Sequence, residues 1–152
     1  MPRAKSARTP VTDSRAQLRA AGLRVTKPRL LVYDVLRESG GHRSADEIAA
    51  LLADRGDFLP RASVYNVLAD LTAAGLLMCA DLGPGRALYE VAERWHHHFV
   101  CRVCGKVLDV PCVRGEKPCL DPPASLPGTV EEAQVLFRGV CGRCRTASRK
   151  HP

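Results

Sequence analysis

The sequence has few aromatic residues and contains no long hydrophobic run. Aromatic residues make up 5% of the 152 residues, whereas hydrophobic residues together make up 45%, enough for one domain or for two small ones. No apolar stretch approaches the roughly 20 residues that a membrane-spanning helix requires. The N-terminus also lacks the apolar segment of a secretory signal. We therefore expect a cytoplasmic protein with no membrane partner.

Motifs that indicate an enzyme are absent as well. The sequence contains no HExxH metalloprotease motif and no recognisable nucleophile motif. A thiol oxidoreductase or a zinc hydrolase would need an open metal site or a positioned base, and neither is indicated. We therefore expect that the protein is not an enzyme.

Acidic residues are scarce at the start of the chain. The first 30 residues contain eight Lys or Arg and a single acid, Asp13, and the net charge of the whole chain is +7. A basic arm of this kind is typical of nucleic-acid binding, although a solvated tail has the same composition. Residues 1–12 are predicted to be a disordered basic tail, and residues 147–152 a second tail.

The first half of the sequence predicts helices followed by a β-hairpin. Ser44-Ala45-Asp46-Glu47 is a capping box, and a later helix is indicated by apolar residues at helical spacing, namely Val64, Val67, Leu68 and Leu71. Two short strands then flank Gly83-Pro84-Gly85. This order predicts a winged-helix DNA-binding domain over residues 13–91, although a small α+β domain of another purpose would share the pattern.

Seven cysteines are many for this length, and four of them form two CxxC pairs. The first pair, Cys101 and Cys104, is followed by a glycine, and 36 residues separate it from the second pair, Cys141 and Cys144. Two such pairs supply the four thiolates of a tetrahedral structural zinc site, which has no open position for catalysis. The alternative, two independent redox pairs, lacks the βαβ context of a thioredoxin-like motif.

Three cysteines remain outside these pairs. Cys79 lies in an apolar strand and is expected to be a small buried hydrophobe. Cys112 and Cys119 lie in a segment with five prolines between residues 111 and 128. They could form a redox pair, act as weak accessory metal ligands or have no chemical role, and we favour the last of these.

A run of three histidines, His96-His97-His98, precedes the first CxxC pair. On a strand, His96 and His98 point to one face and His97 to the other. A solvated loop is the usual setting for such a run, but here Glu90 lies upstream and Asp109 downstream. The grouping favours a second metal site.

Several motifs together resemble the ferric uptake regulator superfamily, from about residue 15 to residue 145. They are Gly22-Leu23-Arg24-Val25-Thr26-Lys27-Pro28-Arg29, His42-Arg43-Ser44-Ala45-Asp46-Glu47, Ala62-Ser63-Val64-Tyr65-Asn66-Val67-Leu68, Tyr89-Glu90, and His96-His97-His98 running into the first CxxC pair. The segments Asp109-Val110-Pro111-Cys112 and Pro118-Cys119-Leu120 resemble the actinobacterial branch, which represses catalase–peroxidase genes.

The resemblance implies an α+β homodimer with an N-terminal winged helix, a hinge at residues 92–95 and a C-terminal α/β dimerisation domain at 96–146 that holds the four-cysteine zinc. It also implies a regulatory metal, Fe(II) or Mn(II), although zinc or nickel would fit too. The ligand positions that match the family are His42, Glu90, His96, His98 and Asp109. A third metal site is implied only weakly, at His97 and Glu116.

Double-stranded operator DNA is the implied partner. The start of the fourth helix presents Arg61, Ser63, Tyr65 and Asn66 to the major groove, and Arg24 matches a basic position that enters an A·T-rich minor groove. Tyr65 matches the family tyrosine that packs on thymine methyl groups, although simple packing within the protein is the alternative. Asn66 stands where many relatives have arginine.

The predicted function is therefore a metal-dependent DNA-binding repressor, responsive to peroxide or redox state, that controls oxidative-stress genes. The alternative is an iron-responsive, or a zinc- or nickel-responsive, repressor of metal-uptake genes. A passive zinc-binding adaptor is a weaker rival, because it would not explain the capped helices, the hairpin and the basic arm together.

Overall fold

The computed structural model describes residues 13–148. Its elements, in chain order, are α1 (Ser14–Ala20), α2 (Lys27–Ser39), α3 (Ala45–Asp54), α4 (Arg61–Ala73), β1 (Leu77–Asp81), β2 (Ala87–Val91), β3 (His96–Cys101), β4 (Val107–Pro111), β5 (Leu136–Gly139) and α5 (Gly142–Ser148). The tail predicted for residues 1–12, and residues 149–152 of the second tail, lie outside the described residues. None of the described helices is long and apolar enough to cross a membrane.

Within the described residues the chain divides into two compact units. The first comprises the residues up to Cys79 together with Ala87–Val91, and the second comprises Ala80–Arg86 together with the residues from Ala92 onward. The predicted class, α+β, is confirmed. The domain limits of 13–91, 92–95 and 96–146 stay predictions.

The first unit is a set of four helices around one apolar core. The predicted stripe on α4 is confirmed, since Val64, Leu68 and Leu71 are fully buried and Val67 nearly so. They pack with Leu36 of α2 and with other side chains of the same cluster, namely Leu18, Val32, Tyr33, Val35, Ile48 and Leu52. Burial of this stripe fixes which side of α4 faces solvent.

Local sequence determines where the helices of this unit begin. The capping box is present in full, because the Ser44 hydroxyl accepts from the Glu47 N–H at 3.2 Å and the Glu47 carboxylate accepts from the Ser44 N–H at 2.7 Å. Thr26 occupies the N-cap position of α2, but its side chain makes no capping hydrogen bond. Pro28, in the first turn, has no N–H that would need a partner.

The second unit contains a three-stranded sheet in the order β4-β3-β5. The central strand β3 pairs antiparallel with β4 and parallel with β5. β3 includes the histidine run from His96 onward, so these histidines lie on a strand. Helix α5 was not predicted, because its sequence contains no apolar stripe. Residues 112–135 contain no helix or strand, as five prolines between 111 and 128 would lead one to expect.

Candidate metal centres and DNA-binding surface

The two CxxC pairs come together in the second unit. Cys101 ends β3, Cys104 follows in the turn, Cys141 immediately precedes α5 and Cys144 lies in its first turn. The four sulfur atoms all lie within 4.8 Å of one another, and the Sγ atoms of Cys104 and Cys141 are 3.8 Å apart. A tetrahedron with Zn–S bonds of about 2.3 Å has edges of about 3.8 Å. The cluster therefore fits a structural zinc ion.

The electrostatics of the four thiols also favour a bound cation. The N–H of Cys141 donates to the Cys101 sulfur at 3.3 Å, and backbone hydrogen bonds of this kind lower the pKa of Cys101 to about 6. By contrast, its hydrogen bonds with the sulfurs of Cys141 and Cys104 raise the pKa of Cys144 to about 12. The thiolates of Cys101 and Cys141 are thus stabilised here, whereas that of Cys144 is not. A divalent cation removes the repulsion between the thiolates.

The first unit brings together two of the predicted regulatory ligands. An isolated antiparallel bridge joins Arg43 to Tyr89 through backbone hydrogen bonds of 2.9 and 2.8 Å. The bridge places the preceding residue, His42, opposite the following residue, Glu90. The His42 Nε2 atom lies 3.3 Å from a Glu90 carboxylate oxygen, and both side chains are nearly buried. Imidazole and carboxylate thus converge as metal ligands do.

The second unit brings together the other three predicted ligands on one face of its sheet. His96 and His98 lie two residues apart on β3 with ring centroids 4.8 Å apart, and His98 pairs in register with Asp109 of β4. The His96 Nε2 atom lies 3.6 Å from the Asp109 carboxylate. The His96 Nδ1 atom lies 2.8 Å from the Arg94 carbonyl oxygen, to which it can only donate. This contact orients the ring with Nε2 on the side of the Asp109 carboxylate, as in a metal-ligating histidine held by a carbonyl.

His97 points to the other face, as the strand alternation predicts, and has different neighbours. Its side chain clusters with Cys112 and Cys119, all three ligand atoms lying within 4.8 Å of one another. Burial, and the charges of His96 and His98, lower the pKa of His97. Glu116, predicted with His97 for a third metal site, is exposed and is not a member of this cluster.

The predicted DNA-reading residues lie on the start of α4, opposite its buried stripe. Arg61, Tyr65 and Asn66 are exposed and Ser63 is half-buried. The Tyr65 side chain is 42% exposed, so internal packing does not explain it. The Arg61 guanidinium lies 5.7 Å from the Tyr65 ring centroid and forms an ion pair of 3.0 Å with Asp46. Arg24, on the loop before α2, is also exposed.

Comparison with known proteins identifies the family. The model of the ferric uptake regulator family matches residues 20–117. The transcriptional regulator FurA of Mycobacterium tuberculosis is 38% identical over 146 residues, which cover 93% of this chain and 98% of the relative. The structure of the ferric uptake regulator of Vibrio cholerae is 30% identical, with a TM-score of 0.65 over 85% of this chain and 100% of that one. The Pseudomonas aeruginosa regulator, solved with manganese, is 26% identical, with a TM-score of 0.68 over 86% and 99%.

The chain belongs to the ferric uptake regulator family. It is accordingly a metal-dependent transcriptional regulator and not an enzyme. Members of this family bind DNA as dimers. The predictions of the family, of the non-enzymatic class and of DNA and a second copy of the chain as partners are confirmed.

One residue with a role in the second unit was not predicted from the sequence. Trp95 falls in the segment predicted as a hinge, but its indole N–H donates to the Cys119 sulfur at 3.1 Å, and the Lys117 ammonium lies 4.2 Å from its ring centroid. It is the only tryptophan in the sequence, and it directly precedes the histidine run. This position was the one feature of the sequence from which a role for Trp95 could have been inferred.

Proposed function

We propose that this protein is a peroxide-responsive repressor of oxidative-stress genes, acting in the cytoplasm as a homodimer on operator DNA with a divalent metal as co-repressor. The observation that carries the proposal is the geometry of the contacts that the two ring nitrogens of His96 make. Its Nδ1 proton is committed to the Arg94 carbonyl, and its Nε2 faces the Asp109 carboxylate at 3.6 Å. Neutral imidazoles combined with carboxylates suit Fe(II) or Mn(II).

The proposed regulatory site combines the ligands of both units. His42 and Glu90 contribute one imidazole and one carboxylate, and His96, His98 and Asp109 contribute two imidazoles and a second carboxylate. Each group is already assembled within its own unit, the first by the Arg43–Tyr89 bridge and the second by the register of β3 with β4. Of the solved relatives, the Pseudomonas aeruginosa regulator was determined with manganese.

A metal held by both units would fix the angle between them, and with it the separation of the two recognition helices in a dimer. Operator DNA binds the arrangement that matches its half-site spacing. Metal and DNA then favour the same state, so each raises the affinity of the other. The residues proposed to contact DNA are Arg24, Arg61, Ser63, Tyr65 and Asn66.

The proposed peroxide response depends on which groups surround the metal. Fe(II) held by these residues would supply the electrons that reduce hydrogen peroxide at the site, which Mn(II) would not readily do. The nearest oxidisable groups would be the imidazole ligands themselves, and we take His42 or His96 as the residue that gains oxygen. An imidazole that has gained oxygen is a poorer ligand, so the two units lose their common attachment and repression ends.

The test compares iron-loaded with manganese-loaded protein after treatment with hydrogen peroxide. It is best performed in a Cys112→Ser background, so that oxidation of this thiol does not contribute. We expect the iron form to lose operator binding with a mass increase of one oxygen on the peptide carrying His42 or His96, and the manganese form to keep binding. Equal loss in both forms, or loss without histidine oxidation, would refute the proposal.

An iron-responsive repressor of uptake genes is the alternative, favoured by the names of other relatives. The ferric uptake regulation protein of Escherichia coli K12 is 37% identical over 101 residues, 65% of this chain. In that case operator binding would depend on Fe(II) concentration, and the iron form would keep its histidines intact at peroxide concentrations that the cell encounters. The same experiment distinguishes the two functions.

A further inference from the structure

A cluster of three side chains in the second unit belongs to neither of the metal centres described above. The Nε2 atom of His97 and the sulfurs of Cys112 and Cys119 all lie within 4.8 Å of one another. Cys119 is buried, whereas Cys112 is half-buried and so is reachable from solvent. Two thiols of unequal exposure that lie this close together, beside an imidazole, form a candidate site for thiol chemistry.

The turn that follows Cys112 directs backbone N–H groups at its sulfur. Burial raises the pKa of the Cys112 thiol, but hydrogen bonds from the N–H groups of Gly115 and Arg114, together with weaker ones, outweigh it and leave the pKa below its ordinary value. Gly115 has a φ of +74°, a conformation that glycine adopts without strain. The more exposed cysteine thus has a stabilised thiolate, the condition for reaction with an oxidant.

The sulfur of Cys119 faces two N–H donors from side chains. The Trp95 indole donates to it at 3.1 Å, and the His97 Nε2 atom lies 3.2 Å away. The N–H of Val135 points at His97 Nδ1 from 3.4 Å, so Nδ1 is an acceptor and the ring proton lies on Nε2. His97 is therefore set to donate to the Cys119 sulfur. In this tautomer Nε2 has no lone pair for a metal and acts as a hydrogen-bond donor to the sulfur.

We propose that Cys112 and Cys119 form a peroxide-oxidisable dithiol that closes to a disulfide. The Cys112 thiolate attacks hydrogen peroxide, an S–O bond forms as the O–O bond breaks, and the departing hydroxide becomes water on taking a proton. The Cys119 sulfur then attacks the sulfur of the resulting sulfenic acid. An S–S bond forms, the S–O bond breaks, and a second water leaves. Two thiols have lost two electrons, and one peroxide has gained them.

The surrounding chain can accommodate this bond. A disulfide needs the sulfurs about 2.05 Å apart, and they start within 4.8 Å of each other. Both cysteines lie after β4 in the part of the described chain that has neither helix nor strand, so the backbone can make up the difference. The reaction needs no regulatory metal, so its failure and that of the histidine mechanism are distinguishable.

The experiment treats full-length, zinc-retaining protein with hydrogen peroxide while a chelator excludes iron. Free thiols are then blocked and the protein is digested with trypsin without reduction. Cleavage after Arg114 separates the two cysteines, and Lys117 is followed by proline and resists cleavage. We expect a disulfide to join peptides 107–114 and 115–138, and the protein to retain one zinc per chain. Treatment with a dithiol reductant should then separate the two peptides.

Matched variants test the assigned roles. Cys79→Ser should leave the linked peptides unchanged, whereas Cys119→Ser should stop at a Cys112 sulfenic acid that a dimedone-type reagent traps. Trp95→Phe keeps the ring but removes the N–H that donates to the Cys119 sulfur, and should slow closure by about tenfold, the effect of losing one hydrogen bond. Retention of one zinc per chain shows that each variant is folded.

Two results would overturn the proposal. One is oxidation confined to the four zinc cysteines with Cys112 and Cys119 left as thiols. The other is a second tightly held zinc per chain that disappears in both Cys112→Ser and Cys119→Ser and protects these thiols from peroxide, which would make the cluster a metal site.

Discussion

Removal of the Tyr65 side chain should weaken recognition of the operator without weakening the fold. Tyr65 is 42% exposed on α4, whereas the neighbouring Val64 is fully buried in the core. The tyrosine therefore contributes little to stability, and Tyr65→Ala should change the free energy of unfolding by no more than about 0.5 kcal/mol. Loss of one base contact costs roughly 1–3 kcal/mol, or roughly 5- to 150-fold in Kd.

The assay is a titration of manganese-loaded protein against an operator selected from random duplexes, followed by fluorescence anisotropy at several salt concentrations. Tyr65 carries no charge, so the salt dependence should be unchanged while affinity falls. Tyr65→Phe is the control, because it keeps the ring for thymine methyl groups and removes only the hydroxyl, which lies 3.5 Å from Arg61. Wild-type affinity in Tyr65→Ala, or an equal loss on unrelated duplexes, would show that α4 does not read bases through this residue.

Two further predictions concern stability. Ser44→Ala removes the hydroxyl that accepts from the Glu47 N–H and should lower the free energy of unfolding by about 1 kcal/mol in a urea titration. Glu47→Gln preserves the capping box and should lower it by less. Equal effects of the two substitutions would contradict a stabilising role of the cap. Cys104→Ser should abolish zinc binding and, because metal binding is coupled to folding, also the dimer. Elemental analysis and sedimentation measure both, and a folded, dimeric, zinc-free variant would remove the structural role from the four-cysteine site.

Local patterns predicted the parts of the fold that depend on neighbouring residues. The capping box and the α4 stripe are set by residues within one or two helical turns, and the structure contains both. The four-cysteine cluster was also predictable, because each CxxC pair presents two thiolates by its own spacing. Only the pairing of β3 with β5, which is parallel and long-range, was needed to bring the pairs together.

Contacts between distant segments were not available from local patterns. The partnership of His42 with Glu90 depends on the single Arg43–Tyr89 bridge, and it was expected only through resemblance to the family. The cluster of His97 with Cys112 and Cys119 was not predicted at all, since it needs the irregular segment after β4 to fold back onto β3. Irregular chain has no periodicity from which such a return can be inferred.

The most direct test of the regulatory mechanism is the affinity for Mn(II) measured by calorimetry with and without operator DNA. If His42, Glu90, His96, His98 and Asp109 hold one metal that favours the DNA-binding state, Mn(II) must bind more tightly in the presence of the operator. By linkage, the factor must equal the gain in DNA affinity that Mn(II) produces, on the order of 5- to 150-fold. Glu90→Gln should abolish this coupling while the structural zinc remains. Equal Mn(II) affinity with and without DNA would contradict the co-repressor mechanism.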